Sequence, residues 1–336
     1  MADIALGIGT SHGSMLSSPP EEWDGRARAD RKNPALAFRG ATYTWDALNA
    51  LRGGAFAALN TPAARRAHWD RCQAQLDRLA AELARVNPDV LVIVGDDQHE
   101  WFEAEAQPTF AVYCGDRVAN LAVSAEELAR HTAEGRGASI RGMHPETDCE
   151  YPVAKGLAER IVAQAMDDRF DVTVCMAQPK GAHGMKNLGH AYGFIYRRLL
   201  ADKPVPLVPI LVNTFYPPNQ PRPERCFEFG RTIGRAIRGW GEAARVAVIG
   251  SGGLSHFVID EELDRRVLDA FESGDPAHIF REPDAMFRSG TSETKNWIVA
   301  AGAMDHVGFE MTLLDYVPCY RTDAGTGNAM AFATWS

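Results

Sequence analysis

The sequence has none of the long apolar runs, basic clusters or paired cysteines that would point away from an ordinary globular domain. No stretch approaches the roughly 18 consecutive apolar residues of a membrane-spanning helix. The six cysteines include no C-x-x-C pair, which argues against a disulfide framework and a zinc knuckle. The net charge is −9, whereas a nucleic-acid-binding face needs clustered Lys and Arg. We therefore expect neither a membrane nor a nucleic-acid partner.

The start of the chain also lacks features of exported proteins. Met1-Ala2-Asp3 has neither the basic segment nor the cleavage site of a secretory signal, and scattered cysteines suit a reducing compartment. We expect a cytoplasmic protein.

Apolar runs that are continuous, and not alternating, predict strands buried on both faces. They are Ile4–Ile8, Val90–Val94, Thr109–Tyr113, Val172–Met176, Val208–Val212 and Val246–Ile249. Helical patterns occupy His68–Val86, Val153–Asp167, Gly189–Leu200, Cys226–Gly239 and Glu261–Ser273. The 336 residues show no repeat and no linker. This pattern predicts one α/β domain over residues 1–336, with a mostly parallel or mixed central sheet flanked by helices.

Two histidines follow predicted strands. His12 comes after the run Ile4–Ile8, and His99 comes after Val90–Val94. The carboxyl ends of strands in an open α/β sheet are where ligands bind, so we expect the two imidazoles to lie close together. A metal site is the first hypothesis.

Five short motifs carry the polar residues most suited to chemistry. They are Gly9-Thr10-Ser11-His12, Gly95-Asp96-Asp97-Gln98-His99, Gly181-Ala182-His183-Gly184, Ser251-Gly252-Gly253-Leu254-Ser255-His256 and Ser289-Gly290-Thr291-Ser292-Glu293. Four of them place histidine near Gly or Ser, and glycine allows a backbone to approach a ligand closely. Asp96 and Asp97 are interpreted as turn-forming residues, with support of a metal site as the alternative.

In order and spacing, these motifs resemble the type II extradiol dioxygenases, in the pattern of the protocatechuate 4,5-dioxygenase β subunit. The resemblance also includes Pro108–Ala111, Val212–Pro218 with Arg225–Phe227 behind it, Trp297 four residues after Glu293, and Gly327–Met330. It spans nearly the whole chain. A His-x-x-Glu search alone would not be specific.

The resemblance implies a site for non-haem Fe(II) held by His12, His99 and Glu293. Two histidines and one carboxylate leave one face of an octahedral metal open for a catecholate and O₂. Asp97 and Glu100 remain alternatives to His99, because the family usually has Asn-Asp-His where this chain has Asp-Asp-Gln-His. The matching acid/base residue is His256, and His183 matches a second histidine near the substrate. His190 is interpreted as a packing or supporting residue.

The implied reaction is extradiol cleavage by O₂ of a catecholic aromatic acid of the protocatechuate, gallate or 3-O-methylgallate type. The product would be a ring-opened muconate semialdehyde. A zinc hydrolase using the same residues and a catalytically silent binding protein are the alternatives. Residues 13–86 are predicted to cover the site in cis, which removes the need for a separate small subunit. We expect a homodimer.

Overall fold

The computed structural model describes residues 1–133, 137–181 and 187–336. The strands in this part of the chain are β1 (Asp3–Thr10), β2 (Leu36–Phe38), β3 (Ala41–Tyr43), β4 (Val90–Asp96), β5 (Phe110–Tyr113), β6 (Arg117–Asn120), β7 (Cys149–Pro152), β8 (Thr173–Cys175), β9 (Leu207–Val212), β10 (Arg245–Ser251), β11 (His256–Val258), β12 (Met311–Tyr320) and β13 (Thr326–Trp335). All six predicted strands are present, whereas the other seven, including the long strands β12 and β13, were not predicted.

The helices in the same described segments are α1 (Ser14–Ser17), α2 (Trp23–Lys32), α3 (Trp45–Arg52), α4 (Pro62–Val86), α5 (Ala125–Ala133), α6 (Gly137–Arg141), α7 (Lys155–Asp167), α8 (His190–Arg198), α9 (Pro223–Arg238), α10 (Glu261–Glu272), α11 (Ala277–Phe280) and α12 (Thr294–Val307). Short 3-10 helices lie at Pro20–Glu22, Ala58–Asn60, Asp284–Phe287 and Ser289–Glu293. Among the described residues, no helix has the length and apolar character that crossing a membrane requires.

A mixed sheet forms the centre of the molecule, and its strand order is β11-β13-β1-β10-β4-β9-β5-β8. The four strands β1, β10, β4 and β9 run parallel to one another. β13 is antiparallel to β1, β11 and β12. Apolar clusters cover both faces of the sheet. The central strands are therefore buried along nearly their whole length. The prediction of one α/β domain with a mixed sheet is confirmed, and its parallel centre brings four strand ends to one edge.

Residues 13–60, the least regular segment in the sequence, form short helices and the β2–β3 hairpin. Leu36 and Leu48 from this segment pack against Val258 and Ala324. Arg39 donates hydrogen bonds to both carboxylate oxygens of Asp260, at 2.7 and 2.8 Å. The segment is therefore anchored beside β11, the strand that begins at His256.

Helices α9 and α12 approach each other backbone to backbone. A Cβ built on Gly230 would lie 2.0 Å from the carbonyl oxygen of Val299, and one on Gly302 would lie 2.0 Å from that of Phe227. Only glycine fits at these positions. This close contact holds α12, which follows directly from Glu293, against the sheet.

We expect Gly302→Ala to lower the free energy of unfolding by about 1–3 kcal/mol, because the added methyl group would push the two backbones apart. Gly241→Ala is the matched control, since a Cβ there would meet nothing within 4 Å. Urea unfolding followed by circular dichroism measures both. Equal stability of the two variants would contradict the packing account.

A buried carboxylate joins α10 to the turn before β11. Asp264 accepts hydrogen bonds from the backbone N–H of Ser255 at 2.8 Å and from its hydroxyl at 2.6 Å. The hydroxyl of Tyr316 donates to the same carboxylate at 2.7 Å. Burial raises the pKa of Asp264 from 3.8 to about 7, although the donors from Ser255 and Tyr316 oppose that shift. The turn before His256 is thus fixed by a carboxyl group whose ionised form is destabilised by burial.

An acid with a raised pKa in the folded state contributes stability that is complete below its unfolded pKa and is lost as the pH rises through the folded pKa. The contribution of Asp264 should therefore decline between about pH 4 and about pH 7. We expect Asp264→Asn to gain stability relative to the wild type across this window. Thermal unfolding in a pH series tests this, and a difference in stability that does not vary with pH would contradict it.

Candidate metal centre

The site lies at the carboxyl edge of the parallel strands. His12 stands two residues after β1, Asp96 ends β4, and Ser251 ends β10. Glu293 ends the 3-10 helix that leads into α12, and His190 begins α8. Polar side chains from the ends of three strands and the starts of two helices therefore lie together at this edge of the sheet.

His12 directs its ring nitrogen Nε2 towards the carboxylates of Asp96 and Glu293. Its Nδ1 lies 3.0 Å from Ser251 Oγ, and that hydroxyl donates its proton to the carbonyl oxygen of Ala191 at 2.6 Å. Since the hydroxyl proton is used, Ser251 Oγ must accept from Nδ1–H. In the neutral ring, Nε2 then carries the lone pair. This nitrogen is buried 3.1 Å from Glu293 Oε2, and among the described residues it has no hydrogen-bond partner.

His190 is held in the same way by Glu100. The two carboxylate oxygens of Glu100 lie 2.8 Å from the backbone nitrogen and from Nδ1 of His190. This leaves Nε2 facing Asp96 Oδ2 at 3.7 Å. Burial opposes a positive charge on the ring, but Glu100 and Asp96 outweigh it and raise the pKa of His190 to about 10. The surroundings of this ring stabilise a positive charge.

Two carboxylates complete the group. Asp96 accepts hydrogen bonds from the amide groups of Asn296, at 3.0 Å, and Gln98, at 3.1 Å. Burial and the charge of Glu293 raise its pKa. Burial opposes the charge on Glu293, yet His256 and His12 hold the pKa of Glu293 well below its ordinary value. The surroundings therefore raise the pKa of Asp96 and lower the pKa of Glu293, although both carboxylates face the ring of His12.

His256 lies on the other side of Glu293. Its Nε2 is 3.0 Å from Glu293 Oε1, and its Nδ1 donates to the carbonyl oxygen of Leu254 at 3.0 Å. Burial disfavours the charged ring, but Glu293 favours it more strongly, so the pKa of His256 is raised. A proton on Nε2 can therefore be held at the edge of the cluster.

One ligand atom from each of His12, Asp96, His190 and Glu293 lies within 4.8 Å of the others. The unpartnered Nε2 of His12 and two carboxylates in a dry site leave electron pairs facing each other, which is unfavourable without a cation or protons between them. Imidazole and carboxylate ligands suit a divalent transition metal. The residues therefore fit a metal ion, and Glu100 and Ser251 fix the two rings as supporting groups do in metal sites.

His99 does not join this group, although the sequence predicted it as a metal ligand. Its Nδ1 lies 2.8 Å from the carbonyl oxygen of Phe102, and its ring stacks on Tyr216 with centroids 3.8 Å apart. The reason is the turn after β4. Asp97 accepts hydrogen bonds from the backbone nitrogens of residues 100, 101 and 102, and His99 has a left-handed backbone with φ 62°. This turn directs Glu100 towards His190.

The other predicted site residues have separate outcomes. The structure brings His12 and Glu293 together and places His256 beside them. His183 lies outside the described residues, so its role remains a prediction. Of the alternatives to His99, Asp97 braces the turn and Glu100 binds His190, so neither joins the cluster.

The sequence interpretation missed two members of the cluster. Asp96 was interpreted as a turn-forming residue, with support of a metal site as the alternative, and His190 as a packing or supporting residue. A signal for His190 was available, since it follows Gly189 directly at the start of a helix, where a side chain can face a ligand. For Asp96, the signal was its position at the end of a fully buried strand, because a buried carboxylate needs a charged or hydrogen-bonding partner.

The sequence of this chain matches a known protein family. A family model described as the catalytic LigB subunit of aromatic ring-opening dioxygenase matches residues 54–326. A 2,3-dihydroxyphenylpropionate/2,3-dihydroxicinnamic acid 1,2-dioxygenase from Rhodococcus globerulus is 24% identical over 184 residues, which are 55% of this chain and 48% of that protein. A gallate dioxygenase from Pseudomonas putida is 27% identical over 162 residues, 44% of this chain and 45% of that protein.

The matched segments thus span about half the length of these curated relatives. The family model covers far more of the chain, and Asp96, His190, His256 and Glu293 all lie inside its bounds, whereas His12 precedes them. The chain belongs to the family of catalytic LigB subunits of aromatic ring-opening dioxygenases.

Proposed function

We propose that this protein is an Fe(II)-dependent extradiol dioxygenase that opens the ring of a catecholic aromatic acid with O₂. Protocatechuate, gallate and 3-O-methylgallate are the substrate types proposed, and the product is a ring-opened muconate semialdehyde. The observation that carries the proposal is the cluster of two imidazoles and two carboxylates, with His256 Nε2 beside Glu293 Oε1. Membership of the LigB family supports the same reaction.

The proposed metal ligands are His12, His190 and Glu293, with Asp96 beside them. This set keeps the two histidines and one carboxylate that leave positions on the metal open to substrate. His99, the ligand implied by the resemblance, is the competing assignment. Bound Fe(II) would supply the electron transfer between the ring and O₂, which no side chain in the site can perform.

His256 is the proposed acid/base residue. Its Nδ1 proton is committed to the carbonyl oxygen of Leu254, so Nε2 is the atom that takes and returns a proton. The contact of Asp264 with Ser255 fixes the preceding residue of this turn. We assign to Nε2 the removal of a catechol hydroxyl proton and its later return. The predicted second histidine near the substrate, His183, belongs to the same proposal.

Asn328 is the proposed donor to the substrate carboxylate. It pairs with His256 across β11 and β13. Its Oδ1 accepts from Arg321 at 2.9 Å, and Arg321 is held in turn by Asp30. This leaves the amide Nδ2 available to donate. The hydroxyl of Thr326, two residues earlier in β13, already donates to Asp30 at 2.6 Å.

We also propose that residues 13–86 cover the site in cis. Asp30 of this segment reaches Arg321, and Leu36 and Leu48 pack beside β11. A water-poor site strengthens electrostatic interactions at the metal. The chain would then act without a separate small subunit, as a homodimer in the cytoplasm.

Oxygen uptake by the purified chain tests the function. After anaerobic loading with Fe(II), we expect catechol-dependent O₂ consumption by the chain alone, with protocatechuate, gallate or 3-O-methylgallate in the panel. The product should show the visible absorption of a ring-opened semialdehyde. Zn²⁺-loaded protein should consume no O₂. If Zn²⁺ supports hydrolysis and Fe(II) supports no uptake, the site belongs to a hydrolase, and if neither metal supports turnover, to a silent binding protein.

In the same assay, we expect His256→Phe to retain iron but to lose roughly two to four orders of magnitude in turnover, the usual contribution of a positioned acid/base. His278→Ala, a substitution of an exposed histidine in α11, is the matched control. Near-normal turnover of His256→Phe at saturating substrate and O₂ would remove this residue from the mechanism.

Metal affinity separates the two ligand assignments. We expect His12→Ala, His190→Ala and Glu293→Ala to bind Fe(II) far more weakly, and His99→Ala to bind it as the wild type does. Glu100→Gln should cost about 10- to 100-fold in affinity, because it loosens the ring of His190 without removing a ligand. Anaerobic Fe(II) titration provides the affinities. Full binding by His190→Ala together with lost binding by His99→Ala would restore His99 as the ligand.

A further inference from the structure

A polar cavity is lined by the segment after β9 and by residues around the start of α12. Its volume is about 220 Å³, and it is enclosed by the segment from Pro218 to Pro223, the segment from Asp284 to Arg288, and Lys295 of α12. None of the four clustered residues of the metal centre lines it. The space is large enough for a small solute or for several water molecules.

The charges around this cavity are unbalanced. Three cationic side chains line it, those of Arg222, Arg288 and Lys295, against the single carboxylate of Asp284. That carboxylate is engaged already, with Asp284 Oδ2 3.1 Å from Arg222 Nε. Arg288 forms no hydrogen bond or ion pair with the part of the chain that the structure describes. A chain with a net charge of −9 thus carries a locally positive cavity.

Lys295 is the buried member of the set. It is only 4% exposed, and its Nζ donates to the carbonyl oxygen of Thr214 at 3.4 Å. Gln220 donates to the same carbonyl oxygen at a shorter distance, 2.6 Å. An ammonium group has three protons to donate, so two remain.

We propose that this cavity is a binding site for a small oxyanion, a carboxylate or a phosphate. A buried ammonium without a carboxylate partner is unfavourable, and an anion seated between Lys295 and Arg288 would supply that partner. Arg288 and Arg222 provide planar donor groups at the cavity opening, suited to paired oxygens. Neither Asn328, the proposed donor to the substrate, nor any of the clustered residues of the metal centre lines this cavity. The site is therefore distinct from that of the proposed reaction.

Calorimetric titration of the intact, metal-free chain tests this, with inorganic phosphate in one arm and benzoate in the other. Benzoate has a carboxylate but no ring hydroxyls, so it reports on carboxylate binding without chelating a metal. We expect saturable binding at one site in at least one arm. Binding of phosphate alone assigns an inorganic ligand, and binding of benzoate alone assigns an organic carboxylate.

Arg288→Ala should weaken this binding about tenfold, as expected for loss of a charge-assisted hydrogen bond. Lys295→Met should weaken it at least as much, and Lys32→Met, which changes an exposed lysine, should leave it unchanged. Arg288 is exposed, so its variant folds even if Lys295→Met does not. Absence of saturable binding in both arms, or undiminished binding by Arg288→Ala, would overturn the proposal. His256→Phe should bind the anion normally, which separates this site from the catalytic one.

Discussion

Buried negative charge at the carboxyl edge of the sheet is the constraint on which the rest of the site depends. Asp96 and Glu293 are buried and Glu100 is partly buried, and among the described residues the rings of His12, His190 and His256 lie close to these carboxylates. Ser251 and Glu100 use the Nδ1 atoms of the first two rings, so both Nε2 atoms face the carboxylates. Such an arrangement is stable only with protons or a cation at its centre. The proposed metal follows from this electrostatic requirement.

The fold meets the requirement with rigid elements. Parallel strands bring His12, Asp96 and Ser251 to one edge, and the tight contact of α9 with α12 fixes the helix that follows Glu293. The antiparallel addition of β13 places Asn328 opposite His256. Asp30 joins the N-terminal segment to this strand through Arg321. The proposed cover, substrate donor and proton-transfer residue are therefore parts of one hydrogen-bonded network.

The parts predictable from sequence were those set by local patterns. Buried apolar runs determine strands, so the sheet and the position of His12 at a strand end followed directly. The choice between His99 and His190 did not. It depends on three backbone hydrogen bonds to Asp97, which turn Glu100 inward, and on a partner 90 residues away in sequence. No local pattern encodes that pairing. The strands β12 and β13 were missed because small and polar residues interrupt their apolar runs.

The position of the bound metal ion decides whether His190 or His99 is a ligand. Crystals of the protein loaded anaerobically with Fe(II) would locate the ion by anomalous diffraction at the iron absorption edge. We expect a single peak among His12 Nε2, His190 Nε2 and the carboxylate of Glu293. A peak bonded to His99 with His190 unbound, or no peak at this edge of the sheet, would contradict it.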